Sequence, residues 1–255
     1  MSGMTRTVLL ALDTSTEFCS VALLCSDSST DPASAEDIRT WVRHEETGAV
    51  SSTRVLPAVR ELFDEAGLTL AACDAIAFGA GPGSFTGLRT ATGVAQGLAF
   101  GLDLPVVPIG TLLACAEGAR LNRPSVTRVL AALDARMDEV YWADYAWEAG
   151  EWRVVVPPSL GTPDTVIAPD VPFTLAGNAA AAFGEKLGAA ARAAFVDGAA
   201  LPHALPIALA ALRAYRAGRT VPAELAAPEY VRDKVAQTTA ERLAARAAQS
   251  GEGVR

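Results

Sequence analysis

Four glycines fall within nine residues, Gly79, Gly81, Gly83 and Gly87, between a short apolar run and a segment rich in Gly and Ala. Glycine reaches positive φ without a Cβ penalty and lets a ligand or another backbone come close, while Pro82 fixes φ between two of them. Ser84 and Thr86 follow as caps for a helix, so backbone N–H groups would face whatever sits above the loop, an arrangement suited to an anion. The loop from Gly81 through Phe85 to Arg89 is thus a candidate phosphate loop. Neither common phosphate motif is present, however. A dinucleotide fingerprint starting at Gly79 needs Gly where Ser84 stands, and there is no Gly-Lys-Ser/Thr. A tight strand-to-helix turn that packs against its own chain explains the same residues.

A second pattern adds weight. Asp13 ends the run VLLALD and Asp134 ends VLAALD, 121 residues later. Each Asp leads through a short polar turn into another strand-like run, CSVALL from Cys19 and VYWADY from Val140. A strand, an acid, a tight turn and a strand, repeated at the spacing of one domain, predict two similar lobes.

The elements around these residues alternate between helix and strand. Val55–Ala66 places Val55, Leu56, Val59, Leu62 and Phe63 on one helical face. Asp74–Phe78 and Val106–Ile109 read as strands, Thr86–Phe100 and Thr111–Arg120 as helices. In the second half, Val154–Val156 and Phe173–Ala176 read as strands, and Ala179–Leu187 and Ala204–Ala217 as helices. Pro157–Pro172 reads as a surface connection and Cys25–Trp41 as a long acidic loop. The expected class is α/β, with one lobe over 1–110, a second over 111–235 and an Ala-rich tail over 236–255.

The chain has 255 residues, 51% of them hydrophobic, and a formal net charge of −8. That charge argues against nucleic-acid binding by the chain alone, because phosphate contacts draw on Lys and Arg patches. Arg242, Arg246 and Arg255 mark the one locally basic segment. No run approaches the ~20 apolar residues of a membrane span, so a soluble, cytoplasmic protein is expected. Cys19, Cys25, Cys73 and Cys115 lie in apolar surroundings without a C-x-x-C pair, which reads as buried thiols. His44 and His203 are 159 residues apart and read as ordinary surface residues. No G-x-S-x-G elbow with a nearby His and no H-E-x-x-H is present, so a protease reading finds neither nucleophile nor metal.

LALDTSTEFCSVALL, DAIAFGAGPGSFTGLR and ALDARMDEVYWADY together resemble the TsaB (YeaZ) family, with a weaker match through PEYVRDKVAQ around Tyr230. The resemblance implies a duplicated actin/Hsp70-like (ASKHA, ribonuclease H-like) fold. It also implies a role in placing N6-threonylcarbamoyl on adenosine 37 of tRNAs that read ANN codons. In that system the expected partners are the catalytic subunit TsaD, as a heterodimer, and the ATPase TsaE. The complex uses ATP and metal, tRNA is met only through the complex, and no cofactor or metal is assigned to the chain itself, with weak nucleotide binding left open.

Working ASKHA ATPases carry Asp-x-Gly in their phosphate turns, whereas here the third positions are Ser15 and Arg136. Asp13, Thr14, Ser15 and Asp134 are therefore expected to be degenerate phosphate positions, with Asp13 capping its turn and Arg136 crowding the second or pairing with Asp134. The first-lobe helices are the expected partner surface, through Val55, Val59, Leu62, Phe63, Gly93 and Gly97, and a homodimer through the same face is expected when the chain is alone. Where family members often carry a His-Ser pair, Ser51 and Ser52 stand. The competing expectation, motivated by the doubled Asp turns and the glycine loop, is a small-molecule ASKHA phosphotransferase or ATPase.

Overall fold

The computed structural model describes residues 4–29 and 37–232. The first half runs β1 (Met4–Asp13), β2 (Phe18–Ser29), β3 (Asp37–Glu46), α1 (Ser51–Ala66), β4 (Ala75–Gly81), α2 (Phe85–Leu102) and β5 (Val106–Gly110). β1, β2 and β3 form an antiparallel meander, and β4 and β5 add in parallel on the far side of β1, giving the order β3-β2-β1-β4-β5.

The second half begins with α3 (Thr111–Asn122) and continues through β6 (Arg128–Asp134), β7 (Val140–Glu148), β8 (Glu151–Gly161), β9 (Thr174–Ala176), α4 (Ala179–Phe183), α5 (Gly188–Arg192), β10 (Phe195–Asp197) and α6 (Ala204–Arg216). Its sheet reads β8-β7-β6-β9-β10 with the same pattern of directions. The doubled Asp hairpin is thus the start of a doubled five-stranded sheet, the actin/Hsp70-like architecture.

β1 shows why the first sheet forms where it does. Val8, Leu10 and Leu12 point to one face and pack with Val55, Val59, Leu62 and Phe63 of α1 and Ala91, Ala95 and Ala99 of α2. Leu9 and Ala11 point to the other and pack with Ile207, Ala208 and Ala211 of α6. A strand covered on both faces reads as a continuous apolar run, and at its end the chain leaves the core at Asp13. α1 stops at Gly67, which takes φ 66° as a left-handed cap.

Several boundaries move. α1 begins at Ser51, four residues before the expected start, where the Ser51 hydroxyl donates to Gly48 O. Cys25–Trp41 is not one long loop: Cys25–Ser29 belongs to β2 and Asp37–Trp41 to β3, with an Arg6–Asp27–Arg39 ion pair across the strands; 30–36 lies outside the described residues. β8 continues to Gly161, into the expected connection, and the helix expected over Ala179–Leu187 breaks at Gly184, where φ is 53°. The limit near 110 falls between the two sheets, but α6 returns to cover the first one, so the second segment is not a separate packing unit. The tail over 236–255, with Arg242, Arg246 and Arg255, lies outside the described residues. All four cysteines are free and buried, with burial pushing the Cys73 thiol up to about 12.

α3 and α6 lie at the junction. Glu117 on α3 is buried, and its Oε2 accepts from Trp152 Nε1 on β8 at 2.7 Å and from Arg213 on α6 at 2.5 Å. One carboxylate therefore ties a helix of the first sheet to a strand of the second. Among the described residues, no helix is long and apolar enough to cross a membrane.

Candidate functional site

The two Asp turns face each other across a cleft of about 680 Å³. Thr14, Ser15, Ser84 and Thr86 line it from the first lobe, and Asp134, Arg136 and Asn178 from the second. Hydroxyl-rich walls of this kind suit a polar ligand, so each turn has to be tested for room.

The first turn is closed. Asp13 is 1% exposed; its Oδ2 accepts from the Ser15 N–H at 3.3 Å and the Ser15 hydroxyl at 3.0 Å. Its Oδ1 has no hydrogen-bond partner and lies against Gly79, where an added Cβ would come within 2.1 Å of it. Burial pushes the Asp13 carboxyl up to about 7. The glycine loop then lies flat on the turn. Thr14 Oγ1 donates to Gly87 O at 2.6 Å, and the Ser84 N–H donates to Ser15 O at 2.8 Å. A Cβ on Gly87 would stand 1.7 Å from Thr14 O, and one on Gly83 2.8 Å from Ser15 O.

These glycines admit the protein's own backbone. The loop backbone is held to the turn at the floor of the cleft, and the unpartnered Asp13 oxygen lies against Gly79. Asp13 itself is therefore buried beneath the turn and does not line the cleft, whereas Thr14 and Ser15 do. Asp13 accepts from the N–H two residues on, the Asx-type contact that closes a hairpin turn.

The second turn is open and differently held. Asp134 Oδ1 accepts from the Arg136 N–H at 2.8 Å, and the Arg136 guanidinium lies 3.7 Å from Asp134 Oδ2, so the expected pairing is present. Arg136 is 86% exposed, and Arg136, Met137 and Asp138 all take positive φ, 63°, 57° and 58°. Three consecutive non-glycine residues in that region are costly and persist only where the surroundings impose them. The restraint comes from Arg232, which pairs with Glu139 at 2.6 Å and donates to Ala135 O at 3.0 Å.

Arg232 lies in a strap over 221–232 that contains Tyr230 and the PEYVR segment. Val221 bridges Val106 at the edge of the first sheet, and the Glu229 N–H donates to Ala80 O at 2.7 Å. Gly81, at φ 130°, has no room for a Cβ because Glu229 O would be 2.5 Å from it. Tyr230 Oη accepts from Arg89 Nε at 2.9 Å. The glycine loop, the second Asp turn and the PEYVR segment thus form one connected structure at the rim of the cleft.

The expected partner residues divide into two sets. Val55, Val59, Leu62 and Phe63 are buried beneath α1 against the first sheet, so they are core and present nothing to a partner. The physical reason is that an amphipathic helix turns its apolar face to its own sheet first. Gly93 and Gly97 lie on the open side of α2, where an added Cβ meets nothing within 4 Å, as does Gly101. Phe100, 75% exposed, stands beside them, and Leu56, 52% exposed, is on the outer side of α1. Four-residue spacing from Phe85 through Arg89, Gly93 and Gly97 to Gly101 places all five on one face and was the signal available in the sequence.

His44 and His203, expected as ordinary surface residues, are neighbours with ring centroids 5.2 Å apart; His44 is exposed and stacks on Phe18 at 4.5 Å, but His203 is half-buried with Nδ1 unpartnered. Burial, with His44 nearby, pushes His203 down to about 4. Among the described residues no group of three or more His, Cys, Asp or Glu side chains is placed to hold a metal ion.

Known proteins align with this chain over most of its length. The family model described as TsaD, tRNA N6-adenosine threonylcarbamoyltransferase, matches residues 44–248. The tRNA threonylcarbamoyladenosine biosynthesis protein TsaB of Escherichia coli is 36% identical over 237 residues, 89% of this chain and 96% of that protein. Its namesake in Haemophilus influenzae is 42% identical over 172 residues, 64% of this chain and 68% of that protein. The solved structure of YeaZ from Pseudomonas aeruginosa is similar at 41% identity with a TM-score of 0.77, over 88% of this chain and 99% of that one.

Proposed function

The chain belongs to the TsaB family, and on that footing we propose that it takes part in tRNA threonylcarbamoyladenosine biosynthesis as a non-catalytic subunit. In this reading it forms a heterodimer with the catalytic subunit TsaD and activates it, with the ATPase TsaE as a third component. The product is the modified adenosine 37 of tRNAs reading ANN codons. Transfer chemistry, ATP and metal belong to the partners, and tRNA meets this chain only within the complex.

One observation carries the reading: the glycine loop is bonded to the first Asp turn through Thr14 and Ser84, and Asp13 is buried away from the cleft. The same loop starts α2, whose outer side offers bare backbone at Gly93, Gly97 and Gly101. Each helical glycine costs up to ~1 kcal/mol relative to alanine, a loss that close approach by another helix can offset. In this reading activation consists of holding a partner helix against that face.

The test is tRNA threonylcarbamoylation with purified TsaD, TsaE, threonine, bicarbonate and ATP, with and without this chain. Modification that requires the chain supports the reading, and equal modification in its absence overturns it. A small-molecule phosphotransferase is the second reading, favoured by the doubled Asp turns over a cleft of about 680 Å³. ATP turnover by the chain alone, lost in Asp13→Asn, would bring it forward.

A further inference from the structure

Many arginines of the described chain hold a carboxylate of their own: Arg54 pairs with Glu45 and Glu61, Arg128 with Asp144, Arg213 with Glu117 and Arg232 with Glu139. Arg89 is fixed differently. Its Nε donates to Tyr230 Oη at 2.9 Å, and its guanidinium carbon stands 3.7 Å from the centroid of the Phe85 ring and 5.9 Å from that of Tyr230. The two rings are 5.7 Å apart. Among the described residues no carboxylate pairs with Arg89, and the two terminal nitrogens of its guanidinium have no acceptor.

Arg123 also stands 3.7 Å from a ring centroid, that of Phe195, but Arg89 has in addition the Tyr230 oxygen to set its plane. An exposed arginine side chain ordinarily keeps its rotamer freedom in water, and fixing it costs entropy. Here the Phe85 ring and Tyr230 of the strap have already fixed the plane, while the two terminal nitrogens keep their donors free. A planar guanidinium held in this way matches a carboxylate with two parallel hydrogen bonds. Its position is also specific: Arg89 is four residues before Gly93 on the open side of α2.

We propose that Arg89 is a pre-formed receptor for a carboxylate of the protein partner that packs along α2, with Phe85 and Tyr230 as its positioning residues. The proposal rests on the reading of this chain as a docking subunit and adds the chemistry of the contact: an acidic side chain on the partner at the end where α2 begins. Charge favours a protein carboxylate over a nucleic-acid backbone. A chain of net charge −8 repels a run of phosphates more strongly than a single carboxylate.

The experiment measures binding of the full chain to TsaD by calorimetry at about 50 mM and about 300 mM salt, where screening separates ionic from apolar contacts. Arg89→Ala is expected to weaken binding roughly tenfold to a hundredfold at low salt and to flatten the salt dependence, while the chain stays folded. Arg89→Lys restores charge without the fork and stays weak. Tyr230→Phe keeps the ring, loses the orienting oxygen and falls between the two. Wild-type affinity in Arg89→Ala overturns the proposal, as does Arg89-dependent binding of inorganic phosphate by the chain alone. Failure of the unaltered chain to bind TsaD at all overturns instead the reading on which the proposal rests.

Discussion

The two Asp turns begin from the same strand pattern and end in opposite conditions. In the first lobe, Asp13 is sealed under the glycine loop and Ser15 completes the cap. In the second, Asp134 pairs with a side chain 86% exposed, and the turn carries three left-handed residues held by Arg232. A duplicated fold can thus convert one ancestral position into packing and leave the other at the surface. The difference lies in what crosses over each turn: backbone without side chains in one case, a single guanidinium in the other.

Between the two turns, the larger effect should come from reopening the closed one. Gly87→Ala would set a Cβ against a backbone oxygen that cannot rotate away, and should cost about 3–5 kcal/mol in urea unfolding. Tolerance of that change would mean the loop does not sit on the turn as described.

Asp13 gives the next effect, through pH. Its folded value, about 7, lies above the ordinary 3.8, so the native state binds more protons between those values and stability falls as pH rises from about 4 through 7. Asp13→Asn should remove that fall and melt at higher temperature than the parent at pH 8, by on the order of 2–4 kcal/mol in stability. Equal pH profiles for the two proteins would show Asp13 to be solvated.

The open turn should respond less to mutation. Arg232→Ala should cost about 2 kcal/mol and speed amide exchange at 135–139 while leaving exchange at Asp13–Ser15 unchanged. At the outer face, Gly97→Leu should leave the fold intact and abolish the complex with TsaD, whereas Leu62→Asp, at a position with no exposure, should unfold the chain itself. Arg136→Ala, at an exposed and loosely paired site, should leave the melting temperature where it was.

What could be read from the sequence follows the same contrast. β1 and β6 were legible because strands buried on both faces write unbroken apolar runs that stop at an acid. The apolar face of α1 was legible too, yet its use was not: Val55, Val59, Leu62 and Phe63 announce burial without saying against what. The candidate docking side is marked by missing side chains at Gly93 and Gly97, which carry no hydrophobic signal. Nor could local pattern say that α6, written after the second sheet, covers the first. That placement depends on contacts with Leu9 and Ala11 nearly two hundred residues earlier. The strap was invisible for the same reason, since Gly81 has to be seen beside Glu229 before its lack of a side chain makes sense.

The return of α6 also has a consequence for synthesis. One face of the first sheet stays bare after β5 has been made, until Ile207, Ala208 and Ala211 have been added. At ~5–20 residues per second the ribosome needs roughly 5–20 s to extend the chain from Gly110 to Arg216. During that interval the nascent first lobe offers an apolar sheet surface to any chaperone within reach, and a gene cut at the lobe boundary would leave that surface uncovered for good.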